Sequence, residues 1–308
     1  MSRPAGQAYV HTRARWRVRA REWMSYALAY GFRVVTWPIG VWTLSGLLAP
    51  LGGWAALAVP GFRRRALRNL ALVRPDLDPH ARRAVTAEAG RQFLRLMIEY
   101  AHLDRWARGV DITAKGIETL RDAHDRGRGV VVVSAHYGNW EAVRLAALRA
   151  GLEIGIIYRA FNNRYLDRFA LGLIPCCGTP VLHKGPAGLR ELIGHVRRGG
   201  AVLILVDQRN TGAPFLPFLG HPAETVLAPA EIAARTGAAL IPAMARRDPV
   251  GRKFKVWFEP PIENADARAA MTRVNARIGA WITDEPGQWL WFHRRWRATS
   301  RSRAQPTR

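Results

Sequence analysis

Residues 131–141 read Val-Val-Val-Ser-Ala-His-Tyr-Gly-Asn-Trp-Glu and place an imidazole and a carboxylate where a strongly apolar run gives way to a turn. An unprotonated His136 can take the proton of an incoming hydroxyl, and a nearby acid, Glu141, can fix the ring's tautomer and stabilise the imidazolium that forms. That is chemistry suited to acyl transfer. Residues five apart on one continuous helix point about 140° away from each other and cannot pair. The pair therefore requires His136 to precede a helix and Glu141 to sit in its first turn, where the helix dipole favours the ionised acid. The surrounding residues agree: 129–134 is the β-branched run of a fully buried parallel strand, Gly138 permits a tight turn, and Asn139 is a good N-cap.

Positioning such a pair requires a sheet. Strands are expected at 130–134, 154–158, 202–206, 239–244 and 254–259, with helices near 140–150, 162–173, 186–198 and 228–236 between them. Gly151, Gly199 and Gly237 fall just past helix ends, and Pro186 suits a first helical position. Earlier in the chain, Phe93, Leu96, Met97 and Tyr100 form an apolar stripe on a helix over 78–105. Alternation of this kind predicts an α/β fold with a mostly parallel sheet flanked by helices. Ligands in such folds bind beyond the carboxyl ends of the strands, where His136, Arg159, Asp207 and Arg246 are expected. Arg159 could bind an acceptor phosphate, stabilise an oxyanion, or be an ordinary surface cation. Asp207 could orient His136 in place of Glu141, hold Arg159, or simply belong to a turn.

Between Arg33 and Arg63 the chain carries no charged residue and is rich in Trp, Leu, Val, Ala and Gly. Residues 1–62 therefore read as a basic and hydrophobic membrane anchor, 63–297 as the catalytic domain, and 298–308 as a disordered basic tail. Pro38, Pro50, Pro60 and Gly52-Gly53 interrupt the apolar stretch. Arginine flanks it on both sides, with Arg13, Arg15, Arg17, Arg19, Arg21 and Arg33 before it and Arg63, Arg64, Arg65 and Arg68 after it. Both flanks then favour the cytoplasmic side, so an interfacial or re-entrant hairpin competes with a single span. The formal charge of +24, almost all of it from arginine, gives a field that attracts phosphates, anionic lipid or an acidic protein without choosing among them. Adjacent Cys176 and Cys177 offer neither a disulfide framework nor a metal-ligand spacing and are read as packing residues.

Together these pieces resemble the bacterial lipid A biosynthesis acyltransferases, the lauroyl and myristoyl transferases, with the mycobacterial phosphatidylinositol mannoside acyltransferases related to them. The resemblance runs from about Arg63 to Arg297. It rests on His136 and Glu141 after the apolar strand, Tyr158-Arg159 followed by Asn162-Asn163, Asp207-Gln208, Pro217-Phe218-Leu219-Gly220 with Thr225, Ile241-Pro242, and the terminal run Gln288 to Trp296. The resemblance implies a glycerolipid acyltransferase-like fold and transfer of an acyl chain from acyl carrier protein or acyl-CoA to a hydroxyl of a phosphorylated or glycosylated lipid. It also implies a catalytic domain on the cytoplasmic side of the inner membrane and no metal or cofactor. A lipid A precursor is the expected acceptor; phosphatidylinositol mannoside, lysophospholipid and ornithine lipid are the alternatives. Carried over, His136 is the general base and Glu141 its partner, with Asn139, Arg159, Asn163, Asp207, Gln208, Thr225 and Arg246 binding substrate or supporting the site. Arg246-Arg247 and the cluster from His293 to Arg297 could hold phosphates at the membrane surface.

Two other classes fit less well. A nucleic-acid-binding protein would share the basic, tryptophan-containing surface, but the sequence has no zinc-finger or RNP signature and carries a long apolar stretch between Arg33 and Arg63. An esterase could use His136 on water, yet neither a Gly-x-Ser-x-Gly elbow nor a His-Glu-x-x-His helix occurs.

Overall fold

The computed structural model describes residues 16–249, 252–263 and 266–296. Arg13, Arg15, Arg297 and the expected tail at 298–308 lie outside the described residues. Five helices come first: α1 (Trp16–Thr36), α2 (Val41–Ala58), α3 (Pro60–Val73), α4 (Pro79–Ala101) and α5 (Leu103–Gly109). Then follow β1 (Asp111–Lys115), α6 (Ile117–Asp125), β2 (Val130–Ser134), α7 (Glu141–Arg149), β3 (Ile154–Tyr158), α8 (Arg164–Leu171), β4 (Val181–His183), α9 (Pro186–Arg197) and β5 (Ala201–Leu205). The chain continues through β6 (Phe215–Phe218), β7 (His221–Glu224), α10 (Ala228–Thr236), β8 (Ala239–Arg247), β9 (Lys253–Phe258) and α11 (Ala267–Asp284).

Seven strands form one sheet in the order β1-β9-β8-β2-β5-β3-β4, parallel throughout except at β8–β9, and β6 and β7 make a separate antiparallel hairpin. The α/β architecture is as expected. The sheet's alternation splits the core in two, because successive side chains on a strand face opposite ways. Val131 and Val133 pack with residues of α9, α10 and α11, among them Leu192, Ile232 and Ile278, while Val130 and Val132 pack on the other face with Trp106, Leu120 and Val143. Elements with weaker sequence signals, the short β1 and β4, the hairpin and α11, complete the sheet and its cover.

The N-terminal region departs from expectation at one proline. Pro50 lies inside α2 and does not end it, so the apolar stretch holds an 18-residue helix of mean hydropathy 1.4, long and apolar enough to cross a membrane. The packing of α2 accounts for its persistence past the proline. Its inner face (Val41, Leu44, Ala49, Gly53, Ala56) lies against α4, and Gly52 and Gly90 cross so closely that a Cβ on either would come within 2.3 Å of the other's carbonyl oxygen. Its outer face leaves Leu47, Leu51 and Trp54 exposed. Helix α3 then runs across the boundary expected at 62/63. On α4, Leu96 is buried and Phe93 and Tyr100 are half-buried, but Met97 faces outward.

Candidate active site

Parallel pairing of β2 with β5 sets the site. Ser134 lies opposite Leu205, so the residues two steps beyond each strand, His136 and Asp207, emerge side by side. His136 Nδ1 is 2.8 Å from Asp207 Oδ1, and the His136 backbone N–H donates to Asp207 Oδ2 at 3.0 Å. Trp289 Nε1 also donates to Oδ2, at 2.8 Å, so the acid is fully buried with both oxygens engaged. Burial alone would push its carboxyl up. The facing His136, its hydrogen bond, His293 and the Trp289 N–H outweigh burial and hold Asp207 well below the usual carboxylate range. An ionised carboxylate at Nδ1 requires the proton there, which leaves Nε2 with a lone pair. The Gln208 amide donates to that Nε2 at 3.0 Å and to His293 Nε2 at 3.3 Å.

Glu141 is the acid predicted to hold the ring, and the structure corrects that pairing. His136 does precede α7 and Glu141 does begin it, but the Glu141 carboxylate faces inward. It accepts from Tyr100 Oη at 2.6 Å and from Arg144 Nη1 at 2.5 Å, and Glu141 and Arg144 are both completely buried. Trp140 touches both groups' surroundings, its ring 5.0 Å from that of His136 and 5.7 Å from that of Tyr100. Burial and the adjacent Glu141 raise the Tyr100 hydroxyl well above its ordinary value, keeping it a donor. Arg144 also donates to the carbonyls of Ile154 and Gly178. Glu141 thus ties the start of α7 to α4 and β3.

The turn between strand and helix is held from below. The N-cap of α7 is Trp140, one residue later than expected; Asn139 Oδ1 still accepts the Glu141 backbone N–H at 3.0 Å, while its amide donates to Glu99 Oε2 at 2.9 Å. Glu99 is in turn paired with Arg247, which also reaches Gln92. Arg247 is therefore a buried structural cation and not a phosphate ligand at the surface. Gly138 has φ 56°, and a Cβ there would lie 2.1 Å from the Ala245 carbonyl oxygen, so the turn needs glycine. On the open side the C-terminal segment closes over the turn, with Leu290 N donating to the His136 carbonyl and Gly138 N to that of Gln288.

The remaining predicted residues divide. Gln208 meets the His136 ring, as described. Thr225 lies deeper, bonded to Asn275 and Arg295. Asn163 caps α8 through the N–H groups of Tyr165 and Leu166 and donates to Glu22 O and Ser25 Oγ, so it docks α1 on the domain and is not at the ring. Arg159 follows β3, which is separated from β2 by β5; it is exposed, and among the described residues nothing bonds it. Arg246 was expected just after a strand but falls inside β8, which extends to Arg247; it pairs with Asp284 and Glu285 over the Trp257 ring. Cys177 is buried beside Cys176, as packing residues should be.

His293 was grouped with a surface cluster and belongs to the site. Its ring centroid is 5.2 Å from that of His136. Burial, with His136, Arg65 and Arg295 nearby, pushes it down to about 4 against the pull of Asp207, so it is neutral at pH 7. Arg295 is buried too, donating to the Glu224 carbonyl and to Thr225 Oγ1. Trp289 is the other member the sequence did not single out by role; only its place in an unusually aromatic terminal run marked it. A narrow slot with about 20 Å³ of free space runs from His136 between α4 (Ala89, Gln92, Phe93, Leu96) and Trp289-Leu290.

A base whose Nε2 meets an exposed glutamine amide, with an ionised acid behind its Nδ1, forms a constellation suited to hydroxyl activation. Sequence comparison points the same way. Residues 13–298 match the family model described as bacterial lipid A biosynthesis acyltransferase. The lipid A biosynthesis lauroyltransferase of Escherichia coli (strain K12) is 28% identical over 266 residues, covering 80% of this chain and 83% of the relative. The palmitoleoyltransferase of the same strain is 26% identical over 260 residues, with coverages of 79% and 82%. The phosphatidylinositol mannoside acyltransferase of Mycobacterium tuberculosis (strain ATCC 25618 / H37Rv) is 27% identical over 203 residues, 62% of each chain. With the match spanning nearly the whole length and the relatives agreeing on reaction type, this chain belongs to the bacterial lipid A biosynthesis acyltransferase family and is an acyltransferase.

Proposed function

We propose that the protein moves a fatty acyl chain from an acyl thioester, on acyl carrier protein or coenzyme A, to a hydroxyl of a membrane glycolipid, with a lipid A precursor as acceptor. One observation carries the reading: His136 has its Nδ1 on a buried, ionised Asp207 and its Nε2 directed to a solvent-exposed glutamine. The acceptor hydroxyl displaces Gln208 and gives its proton to Nε2 as the oxygen attacks the thioester carbon. Asp207 stabilises the imidazolium. The displaced amide N–H groups of Gln208 are then neutral donors next to the reacting centre, suited to the tetrahedral oxyanion. Collapse breaks the C–S bond, and the imidazolium returns its proton to the thiolate. No acyl-enzyme forms.

The same reading makes α1 and α2 the membrane contact. Because α2 is docked along α4, its exposed Leu47, Leu51 and Trp54, with Trp23, Leu28 and Val35 of α1, suit helices lying in the bilayer interface better than a free span. The flanking arginines would then meet anionic headgroups. In a reconstituted assay with acylated carrier protein and a lipid A precursor, His136→Ala should abolish transfer without changing the circular dichroism spectrum. Near-normal turnover by the folded variant would refute the assigned base. Mass spectrometry of glycolipids from a deletion strain should show one acyl chain missing, and the affected lipid identifies the acceptor.

A further inference from the structure

Helix α3 carries Gly61, Arg64, Arg65 and Arg68 at the i, i+3, i+4, i+7 positions of one face. These residues and Arg294 line an open groove of about 500 Å³. Among the described residues, none of the four guanidinium groups is in an ion pair, although arginines elsewhere in the chain, such as Arg74, Arg246 and Arg277, have found acids. Arg65 feels the crowding: burial and the neighbouring Arg294 and Arg68 lower it from the ordinary arginine range. Four cations held together without an acid make a receptor for a concentrated negative charge, and planar guanidinium groups match phosphate oxygens in pairs.

The groove is linked to the catalytic residues through the chain at 292–294. Arg65 Nη1 donates to the Phe292 carbonyl at 2.8 Å, His293 follows against His136, and Arg294 is the next residue out. It also begins where the apolar helix α2 ends, beside the exposed side chains of Val59 and Phe62. We propose that this groove binds a phosphate monoester carried on a lipid, holding the acceptor by its headgroup while the hydroxyl reaches His136. The lipid-borne source is favoured over an acidic protein because the groove opens where the apolar helix α2 ends, beside the exposed side chains of Val59 and Phe62, which a lipid's chains would meet while its phosphate met the arginines. Calling the bound lipid the acceptor rests on the acyl-transfer reading; the phosphate site itself does not.

The test is calorimetric titration of the full chain in neutral detergent with short-chain phosphatidic acid, the matching uncharged diacylglycerol, and inorganic phosphate. Wild type should bind phosphatidic acid at least tenfold more tightly than either of the others. Arg68→Gln/Arg294→Gln should weaken phosphatidic acid about tenfold or more and erase the preference, because charge-assisted hydrogen bonds are removed. Arg68→Lys/Arg294→Lys should keep most of it, separating charge from folding. Unchanged binding by the glutamine pair would overturn the assignment, as would equal affinity for diacylglycerol or for free phosphate. So would a glutamine pair that loses an acidic carrier protein but keeps phosphatidic acid. His136→Ala should bind phosphatidic acid like wild type; retained transfer in that variant would remove the assigned base, and wild type that bound phosphatidic acid but transferred no acyl chain would remove the acyl-transfer reading, with the groove standing in both cases.

Discussion

Glu141 and Asp207 are both carboxylates with no solvent exposure, and both bond to residues of the same strand-to-helix segment or the helix it begins, yet their surroundings give them opposite uses. Glu141 is paired with the Arg144 guanidinium and accepts from a Tyr100 hydroxyl that burial keeps protonated, a closed set of fixed donors. Asp207 faces an imidazole whose other nitrogen meets only the exposed amide of Gln208 among the described hydrogen-bond partners. Burial alone therefore does not distinguish a catalytic acid from a structural one. What distinguishes them is whether the partner can change its charge.

The most severe way to sharpen this contrast is Asp207→Asn. The amide would present N–H to Nδ1 and favour the tautomer with its proton on Nε2, removing the base, so kcat should fall by about 10²–10⁴-fold with KM values little changed. Steady-state kinetics on the folded variant decide it; a loss under tenfold would strip Asp207 of the role. Glu141→Ala should act on the fold, leaving Arg144 buried without its acid and lowering unfolding free energy by about 3–5 kcal/mol in urea titrations. Glu141→Gln, which can still accept from Tyr100, should be milder and keep kcat within a few fold. Full stability with lost turnover in these variants would exchange the two roles.

A subtler effect concerns His293. Its folded value, about 4, lies below the ordinary histidine value of about 6.5, so between those pH values the unfolded chain binds more protons. Stability should thus decline as pH falls from about 6.5 toward 4, by on the order of 3 kcal/mol from this ring. Urea midpoints should show His293→Asn losing less across that window than wild type; parallel curves would contradict the assignment. Trp289→Phe removes one of the donors to Asp207 and should cost kcat about tenfold, well short of Asp207→Asn, with KM unchanged.

Much of this was legible in the chain. The strand before His136, the turn at Gly138 and the helix starting at Glu141 follow from local residue types, and so does the α/β class. The choice of acid was not legible, because it depends on β5 lying next to β2 with Ser134 opposite Leu205, a non-local fact that no spacing encodes. Requiring His136 to precede the helix was correct, but it is a necessary condition and does not make Glu141 its partner. Arg246 was misplaced because β8 runs three residues beyond 244 to pair with β9. Pro50 misled in the same way: helix-breaking propensity yielded to the packing of α2 on α4. His293 and Trp289 carried no motif of their own, and only tertiary structure brings them to the ring.

The close crossing of Gly52 and Gly90 has one more implication. With no side chain between the two backbones, α2 has no room to slide or roll on α4, and α4 supplies Glu99 and Tyr100, which grip the turn beneath His136. If α2 is the part that meets the bilayer, the reactive nitrogen stands at a constant height above the lipid surface, like a tool on a rigid arm. The enzyme would then choose among hydroxyl groups by their depth, not by the shape of a lid.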